Sequence, residues 1–344
     1  MAGLEILQTR LFKKQKKKCR RLSEALCEGE NNQIKELDIS VRKALLQIIV
    51  FLIIVLGTLS AEQLSFVVGA DNRNQTGYYR KVLHEINDMT VNPDSSFSFP
   101  QFFVSCGDID PVISNMAIYT NKDSFPNLPP FYPVVGNHEF ETPEDMDAIM
   151  GMIPKLKNIV NRGPQASYSF DYGNIHGIVL DEYAENTAGE VAGNLLQWLR
   201  DDMNKTTQDH IFIFGHEPAF PRFRHETDGL NQFLETRNIF WNTLVEEPRV
   251  RAYFCGHTHY YYRMRVNDPA IVKDNEFPNH NGGVYQIDVG AIGNADPEYG
   301  DGNLTLVYVE IYDDSVQFRS VVTPNNENQW QIIDNWILDD SYRY

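Results

Sequence analysis

The sequence predicts an α/β fold, and two features of the chain support this prediction. After Glu62, short apolar runs typical of strands alternate with helical stretches, and the chain shows no internal repeat. Five of the apolar runs end at a glycine that is soon followed by Asp, Asn or His. Polar residues just beyond the carboxyl ends of strands are typical of α/β folds, which build their sites there. We therefore predict one domain over 62–344.

The predicted strands and helices follow from hydrophobic periodicity. Two stretches, 190–203 and 230–245, have the spacing of amphipathic helices. Two later runs, 283–289 and 303–311, alternate partly between apolar and polar residues and suit a second sheet. The five strands that end at a glycine are 64–68, 102–106, 133–135, 211–214 and 251–255.

The first 61 residues differ in composition from the rest of the chain. Residues 1–43 form a basic leader with eleven Lys or Arg against six Asp or Glu, and 44–61 contains no charged residue. A helix of this length spans about 27 Å against a hydrocarbon core of roughly 30 Å. The segment is predicted to be a transmembrane anchor or a signal segment. Because basic residues stay on the cytoplasmic side, we expect an extracytoplasmic domain, membrane-anchored or secreted.

The predicted domain is strongly acidic. The formal charge of the 344 residues is −17, and without the basic leader the remainder carries about −22. Such a surface repels polyanions and excludes a nucleic-acid polymer as partner, although a small phosphorylated molecule can bind where metal ions or arginines supply positive charge. The sequence does not identify protein partners. Cys106 and Cys255 are interpreted as small apolar residues that close buried strands.

The loops after the five strands carry side chains rich in oxygen and imidazole. Carboxylates and neutral imidazoles suit ions such as Mn, Fe or Zn, and the absence of thiolates argues against a structural zinc site. A bridging carboxylate can hold two ions a few ångströms apart. Such a pair of ions can stabilise both the entering and the leaving oxygen of a displacement at phosphorus. The loop residues are Asp71, Asp108, Asn137, His138, Glu139, His216, His257 and His259.

These loops resemble the motifs of the calcineurin-like metallophosphoesterases, a family that includes purple acid phosphatases and bacterial cyclic-nucleotide phosphodiesterases. Five motifs in the family order, each after a predicted strand, are a specific signal, and the resemblance covers nearly all of 62–344. It implies a four-layer α/β/β/α sandwich, in which two mixed β-sheets pack face to face and are flanked by helices. The matching segments are Gly69-Ala-Asp71, Gly107-Asp108, Gly136-Asn-His-Glu139, Gly215-His216 and Gly256-His-Thr-His259.

The resemblance also implies a role for each matched residue. Asp108 would bridge two di- or trivalent ions, and Asp71 and His259 would bind the first of them. His138 would protonate the leaving group as general acid, with Glu139 orienting its ring. The side chains that would bind the second ion are Asn137, His216 and His257.

One position departs from the family pattern. Many members carry His two residues after the first Asp, where this chain has Arg73. Arginine cannot ligate a cation, so the first ion loses a ligand and its site is expected to be weaker unless Asp110 or water compensates. Arg73 is either a bidentate clamp on a substrate phosphate or the ion-pair partner of nearby carboxylates.

A second stretch with candidate substrate-binding residues follows the His216 loop. It contains Arg222, Arg224 and His225. We predict that His225 binds substrate at the pocket rim, and a solvated loop is the alternative.

The resemblance implies hydrolysis of a phosphate ester by metal-activated hydroxide, and phosphomonoesters are the preferred substrates. Two alternatives stay open. The first is a phosphodiesterase that acts on cyclic nucleotides or phospholipid head groups. The second is an exported scaffold that keeps the fold and a metal but catalyses no reaction.

Overall fold

The computed structural model describes residues 64–73, 75–89, 97–184, 189–273, 276–293, 296–312, 315–324 and 329–339. All of them belong to one of the two units into which the chain divides, Gln63–Tyr344. The predicted basic leader, 1–43, and the predicted membrane or signal segment, 44–61, lie outside the described residues. Within the described ranges, no helix is both long and apolar enough to cross a membrane.

The described residues form an alternation of strands and helices. The strands are β1 (Leu64–Gly69), β2 (Phe102–Ser105), β3 (Phe131–Pro133), β4 (Ile159–Arg162), β5 (Tyr168–Tyr172), β6 (Ile175–Val179), β7 (His210–Phe214), β8 (Val250–Cys255), β9 (Tyr261–Val266), β10 (Val284–Val289), β11 (Asn303–Ile311), β12 (Ser315–Pro324) and β13 (Gln331–Asp339). The α-helices are α1 (Thr76–Met89), α2 (Val112–Tyr119), α3 (Asn137–Glu141), α4 (Pro143–Met152), α5 (Gly193–Lys205) and α6 (Leu234–Glu246).

The strands form two mixed sheets. The first has the order β13-β12-β11-β1-β2-β3, and the second has the order β4-β5-β6-β7-β8-β10-β9. Strands β1, β2 and β3 are parallel to one another, and so are β6, β7, β8 and β10, whereas the other pairs are antiparallel. Because parallel strands end at the same edge of a sheet, the loops that carry the predicted site residues leave from one edge of each sheet.

The two sheets pack face to face through aromatic side chains. The ring of Phe66 on β1 lies 5.0 Å from that of Phe212 on β7, in an edge-to-face arrangement. Phe102 on β2 and Phe170 on β5 make a similar contact at 5.2 Å. Edge-to-face pairs of this kind add to the gain from burying the ring surface itself. The main hydrophobic core therefore lies between the sheets, directly beneath the loops of the predicted site.

Helices cover the outer faces of both sheets. On β7, Phe212 and Phe214 belong to the core between the sheets, whereas Ile211 and Ile213 belong to a second cluster with α5 and α6. This alternation reflects the two-residue period of a strand. Helix α1 buries Tyr79 and the residues three, four and seven positions later, which is one face of a helix. The structure thus confirms the predicted four-layer α/β/β/α sandwich.

Some details of the sequence prediction differ from the structure. The late runs 283–289 and 303–311 do not share a sheet, because β10 pairs with β8 and β9 while β11 pairs with β1 and β12. Strand β3 ends at Pro133 rather than beginning there. The predicted helix 230–245 begins as a 3₁₀ helix, Gly229–Gln232, and the α-helix begins at Leu234.

Candidate metal centre

The first group of predicted ligands comes from three different loops. Asp71 follows β1, Asp108 follows β2 and His259 follows β8. One ligand atom from each residue lies within 4.8 Å of the others, and all three residues are buried. Asp71 Oδ1 is 3.4 Å from Nε2 of His259. The three side chains that the sequence assigned to the first ion therefore point at a common space.

The second group surrounds the imidazole of His216, which follows β7. Its Nε2 is 3.2 Å from Oδ1 of Asn137 and 3.2 Å from Nδ1 of His257. The same nitrogen is 3.4 Å from Oδ1 of Asp108. Asp108 thus faces both groups, which is the position that a bridging carboxylate requires.

The backbone at this site is held in an unusual conformation. The φ angles of Asp71, Asp108, His257 and His259 are 56°, 54°, 72° and 61°, in the left-handed region that residues with a side chain rarely adopt. Gly107 is also left-handed, with φ of 84°, and an added Cβ there would overlap the His216 ring. The tight turn and the close approach of the ring both explain why this loop contains glycine.

Glu139 does not contact the His138 ring, so the structure does not support the expectation that it orients that ring. The Glu139 carboxylate is fully buried and accepts hydrogen bonds from the backbone N–H groups of Gly136, Asp108 and Ile109, at 2.7, 2.9 and 2.6 Å. These bonds join the Asp108 loop to the start of α3. Burial raises the pKa of Glu139 to about 8. Glu139 thus holds in place the loop that carries the predicted ligand Asp108.

His138 lies at the rim of the centre, with 26% of its side chain exposed. Its Nε2 is 3.7 Å from Oδ2 of Asp108, and its Nδ1 is 3.7 Å from Oδ2 of Asp110. Asp108 and Asp110 therefore lie on either side of the ring, and Asp110 is the one that faces Nδ1. His138 is the second residue of helix α3.

Arg73 forms an ion pair in this structure. Its Nε donates to Oδ1 of Asp110 at 3.2 Å, and 26% of its side chain is exposed. Asp110 does not belong to the compact group of Asp71, Asp108 and His259. Of the two interpretations of Arg73, the structure shows the pair with a carboxylate, and it places Asp110 between Arg73 and His138.

The three candidate residues in 222–225, which are Arg222, Arg224 and His225, lie in different surroundings. Arg222 is 5% exposed and donates to the backbone carbonyls of Glu276 and Lys273, so it does not lie at the rim. Arg224 approaches the centre, with Nη1 3.3 Å from Nδ1 of His259. The ring of His225 packs on that of His257 with centroids 4.0 Å apart. His225 is therefore beside a predicted ligand, with 24% of its side chain exposed.

Three acidic residues near the centre were not predicted from the sequence. Glu182 accepts the backbone N–H groups of His216 and Glu217 at 2.9 and 2.7 Å, which fixes the loop after β7. Glu217 and Asp228 lie 3.3 and 3.6 Å from Nε2 of His257. The only signal for Glu217 was its place directly after His216, and Asp228 carried no signal because it comes eleven residues later in a long loop.

The electrostatic environment of the centre favours a cation. Burial by itself lowers the pKa of His216, but the carboxylates of Asp108, Asp71 and Glu217 raise it to about 10. For Asp71, burial acts to raise the pKa, and the imidazoles led by His259 outweigh it, so the pKa is lowered. The three carboxylates that raise this pKa make the region around His216 electronegative.

The side chains present fit a pair of metal ions. The donors are carboxylate oxygens, one amide oxygen and imidazole nitrogens, which suit Mn, Fe or Zn. Asp71 and Asp108 are 0% and 2% exposed. Buried carboxylates this close together are costly unless positive charge offsets them.

Comparison with known protein families identifies the family of this chain. The model of the family described as calcineurin-like phosphoesterase matches residues 68–261. The chain belongs to the calcineurin-like phosphoesterase family. The match covers more than half of the chain and includes every residue assigned to the metal centre. A search of curated protein sequences found no match.

Among the solved structures similar to this chain, a purple acid phosphatase supports the fold assignment. Purple acid phosphatase PPD1 from yellow lupin (Lupinus luteus) seeds is 15% identical, with a TM-score of 0.55, and the match covers 81% of this chain and 54% of the lupin chain. The chain thus spans about half the length of that phosphatase. A Vps29 double mutant from Entamoeba histolytica is 11% identical, with a TM-score of 0.39 and coverage of 80% and 100%. Vps29 from Chaetomium thermophilum is 9% identical, with a TM-score of 0.37 and coverage of 81% and 99%.

Proposed function

We propose that this chain is an extracytoplasmic metallophosphoesterase that hydrolyses phosphomonoesters. The observation that carries the proposal is the convergence of carboxylate, amide and imidazole donors from loops of both sheets onto two adjacent groups that share Asp108. Asp71, Asp108 and His259 would hold one ion. The side chains that would hold the other ion, together with Asp108, are Asn137, His216 and His257. When bound, the ions supply Lewis-acid activation of water and neutralise charge on the phosphoryl oxygens.

His138 is proposed to donate a proton to the oxygen of the leaving group. It is the imidazole at the rim of the centre, and its Nε2 lies near the shared carboxylate of Asp108. Asp110 is close to its other nitrogen and can hold the ring by accepting from Nδ1–H. Arg73 in turn holds Asp110 through the 3.2 Å ion pair. Asp110, and not Glu139, is therefore proposed as the residue that orients the general acid His138.

The charges at the rim support a monoester as substrate. A phosphomonoester is mostly dianionic at neutral pH, since its second pKa is about 6, whereas a diester carries a single charge. Two guanidinium groups lie near the centre: Nη1 of Arg224 is 3.3 Å from Nδ1 of His259, and Arg73 is paired at 3.2 Å with Asp110, next to His138. Guanidinium groups suit bidentate contact with phosphate oxygens. His225, beside His257, is a further candidate for contact with the substrate.

A panel of chromogenic esters tests this proposal. The full chain would be stripped of metal, reloaded with Mn²⁺, Zn²⁺ or Fe, and assayed with a nitrophenyl phosphomonoester and a bis-nitrophenyl diester. We expect metal-dependent hydrolysis with a higher kcat/KM for the monoester. A higher value for the diester would favour the phosphodiesterase alternative. Loaded protein that hydrolyses neither ester would favour the scaffold alternative.

The proposed location outside the cytoplasm rests on the basic leader 1–43 and the uncharged segment 44–61. A reporter enzyme that is active only outside the cytoplasm, fused after Glu62, tests it. We expect reporter activity from this fusion. Activity only from a cytoplasmic reporter fused at the same place would contradict the proposed topology and the assignment of 62–344 as an exported catalytic domain.

A further inference from the structure

The two ring nitrogens of His257 face different surroundings. Nδ1 points toward the second ligand group, 3.2 Å from Nε2 of His216. Nε2 points away from it, toward Oε2 of Glu217 at 3.3 Å and Oδ1 of Asp228 at 3.6 Å. His257 thus lies between the predicted site of the second ion and a pair of carboxylates.

The three atoms on this outer side are all buried, and each lacks a hydrogen-bond partner. They are Nε2 of His257, Oε2 of Glu217 and Oδ1 of Asp228. His257 and Glu217 are 8% and 4% exposed, whereas the Asp228 side chain is 48% exposed and only its Oδ1 is buried. A buried polar atom without a partner is costly, and here a ring nitrogen and two carboxylate oxygens lie within 3.6 Å.

The carboxylate of Glu217 is held in place by its neighbours. Its Oε1 accepts a hydrogen bond from the hydroxyl of Tyr183. Its Oε2 lies against Gly229, which has φ of 59° and where an added Cβ would overlap that oxygen. The glycine therefore leaves room for the carboxylate at this position, and Glu217 can keep Oε2 directed at His257.

Asp228 is held from its other side. Its Oδ2 is 2.6 Å from Nδ1 of His225, whose ring also packs on that of His257. The second oxygen of Asp228 stays free to face Nε2 of His257. The loop after β7 thus supplies two carboxylates to one nitrogen, one from each of its ends.

We infer that Glu217 and Asp228 are positioning residues that accept the Nε2 proton of His257 and thereby leave Nδ1 as the nitrogen that binds the second ion. A neutral imidazole has one N–H, and a ligating nitrogen must be deprotonated. An acceptor on the outer nitrogen selects the required tautomer and raises the basicity of the ligand. This inference rests on the metal centre of the proposed function.

A cation bound on this side of His257 is the competing explanation, since His216, Glu217 and His257 form one compact group and His225, Asp228 and His257 form another. It would require His257 to donate both ring nitrogens to ions at once. That arrangement needs removal of both ring protons, whereas a hydrogen bond from Nε2–H needs no further change in charge. The geometry therefore favours the hydrogen bond.

The first test is the tautomer of His257, read by ¹⁵N NMR of histidine-labelled full chain without metal and with Zn²⁺. We expect the proton on Nε2 in both states. A proton on Nδ1 in the metal-free protein would overturn the inference, whatever the chain does to phosphate esters.

The second test measures Zn²⁺ affinity and stoichiometry for Glu217→Gln, Asp228→Asn and the double variant, because the amides keep the shape of each side chain. We expect about 10- to 100-fold weaker binding of one ion and unchanged binding of the other. Asp171→Asn is the matched control, since Asp171 faces His176, whose ring is not part of the centre.

Unchanged affinities in the double variant, or a third equivalent of Zn²⁺ that disappears in it, would overturn the inference. Binding is measured apart from turnover, so an inactive chain that shows this pattern would refute the proposed function only.

Discussion

At the scale of single residues, the centre depends on backbone conformations that are unfavourable by themselves. Four predicted ligands, Asp71, Asp108, His257 and His259, have positive φ. Each such residue costs on the order of 1–3 kcal/mol, which the surrounding structure must offset. Strain of this kind is common where a fold holds functional groups in place, and here four of the eight described non-glycine residues with positive φ are predicted ligands.

The role of His138 can be separated from metal binding. His138→Ala is expected to keep the fold and both ions and to lower turnover on an alkyl phosphate by a factor of about 10² to 10⁴. The loss should be smaller for a nitrophenyl ester, because its leaving group needs little protonation. Steady-state kinetics on both esters, together with metal analysis, measure this difference.

Asp110→Asn serves as the companion variant for His138. Because Asp110 faces Nδ1 of the ring, its amide should cause a smaller loss with the same dependence on the leaving group. Full turnover of the alkyl phosphate by His138→Ala would contradict the assignment of His138 as general acid.

The two ions are expected to bind with unequal affinity. Arg73 stands where many family members have a ligand, and it is paired with Asp110 instead of contributing to the first group. Calorimetric titration of the metal-free chain with Mn²⁺ should show one tight and one weaker site. Arg73→His should tighten the weaker site, with Arg73→Leu as the control that removes the charge without adding a ligand. Two equal, tight sites in the wild-type protein would contradict this prediction.

At the scale of secondary-structure elements, a buried imidazole ties helix α5 to the second sheet. His176 on β6 lies 2.6 Å from Asp171 on β5 and 3.0 Å from Asp202 on α5. Burial by itself lowers the pKa of His176, but the two carboxylates outweigh it and raise the pKa. Burial likewise acts to raise the pKa of Asp202, and His176 and Asn161 lower it overall.

These shifts predict how the stability of this contact depends on pH. The raised pKa of His176 gives stabilisation that is complete below about pH 6.5, the ordinary pKa of histidine, and is lost as pH rises through its pKa in the folded protein. The lowered pKa of Asp202 gives stabilisation that is present above about pH 3.9 and is lost as pH falls through its folded pKa. The pair therefore contributes most between these limits.

His176→Gln tests this dependence, since it keeps hydrogen-bonding groups and removes the charge. At about pH 5.5 the free energy of unfolding should fall by roughly 3 kcal/mol, as expected when a buried pair loses one partner. At about pH 9 the loss should be smaller. Urea unfolding of both proteins at the two pH values measures the difference, and an equal loss at both would contradict the proposed charge on His176.

Local sequence patterns predicted some elements well and others not at all. The strands that precede the site were predicted because a buried apolar run and its terminal glycine are local features. The sheet to which a strand belongs depends on pairing with distant segments, so β10 and β11 could not be assigned in this way. For the same reason, the partners of Glu139 and the approach of Asp228 to His257 were visible only in the folded chain.

At the scale of the whole molecule, the centre joins the two sheets. Asp71, Asp108 and Asn137 follow strands of the first sheet, the last of them as the first residue of α3. The remaining ligands, which follow strands of the second sheet, are His216, His257 and His259. The relative position of the sheets is set by the aromatic core between them, in which the Phe66 ring meets three rings of the second sheet. Packing in this core therefore determines the distance between the two halves of the centre.

Phe66→Ala is predicted to weaken both stability and metal binding. Removing a buried phenyl ring should lower the free energy of unfolding by about 3–5 kcal/mol. Phe240→Ala is the matched control, because Phe240 is equally buried but lies in the outer cluster with Trp241. We expect a similar loss of stability in the control with unchanged affinity for metal. Equal affinities in the two variants would show that the core does not set the geometry of the centre.

The central claim is that Asp108 links two metal ions in a centre built from both sheets. The most direct measurement is the metal content of the purified full chain and of Asp108→Ala after equilibration with Mn²⁺ or Zn²⁺, together with turnover of a phosphomonoester. We predict two ions per chain in the wild-type protein, and loss of both ions and of activity in Asp108→Ala. Asp171→Asn, remote from the centre, should keep two ions. A wild-type chain that binds a single ion, or an Asp108→Ala variant that retains two, would contradict the claim.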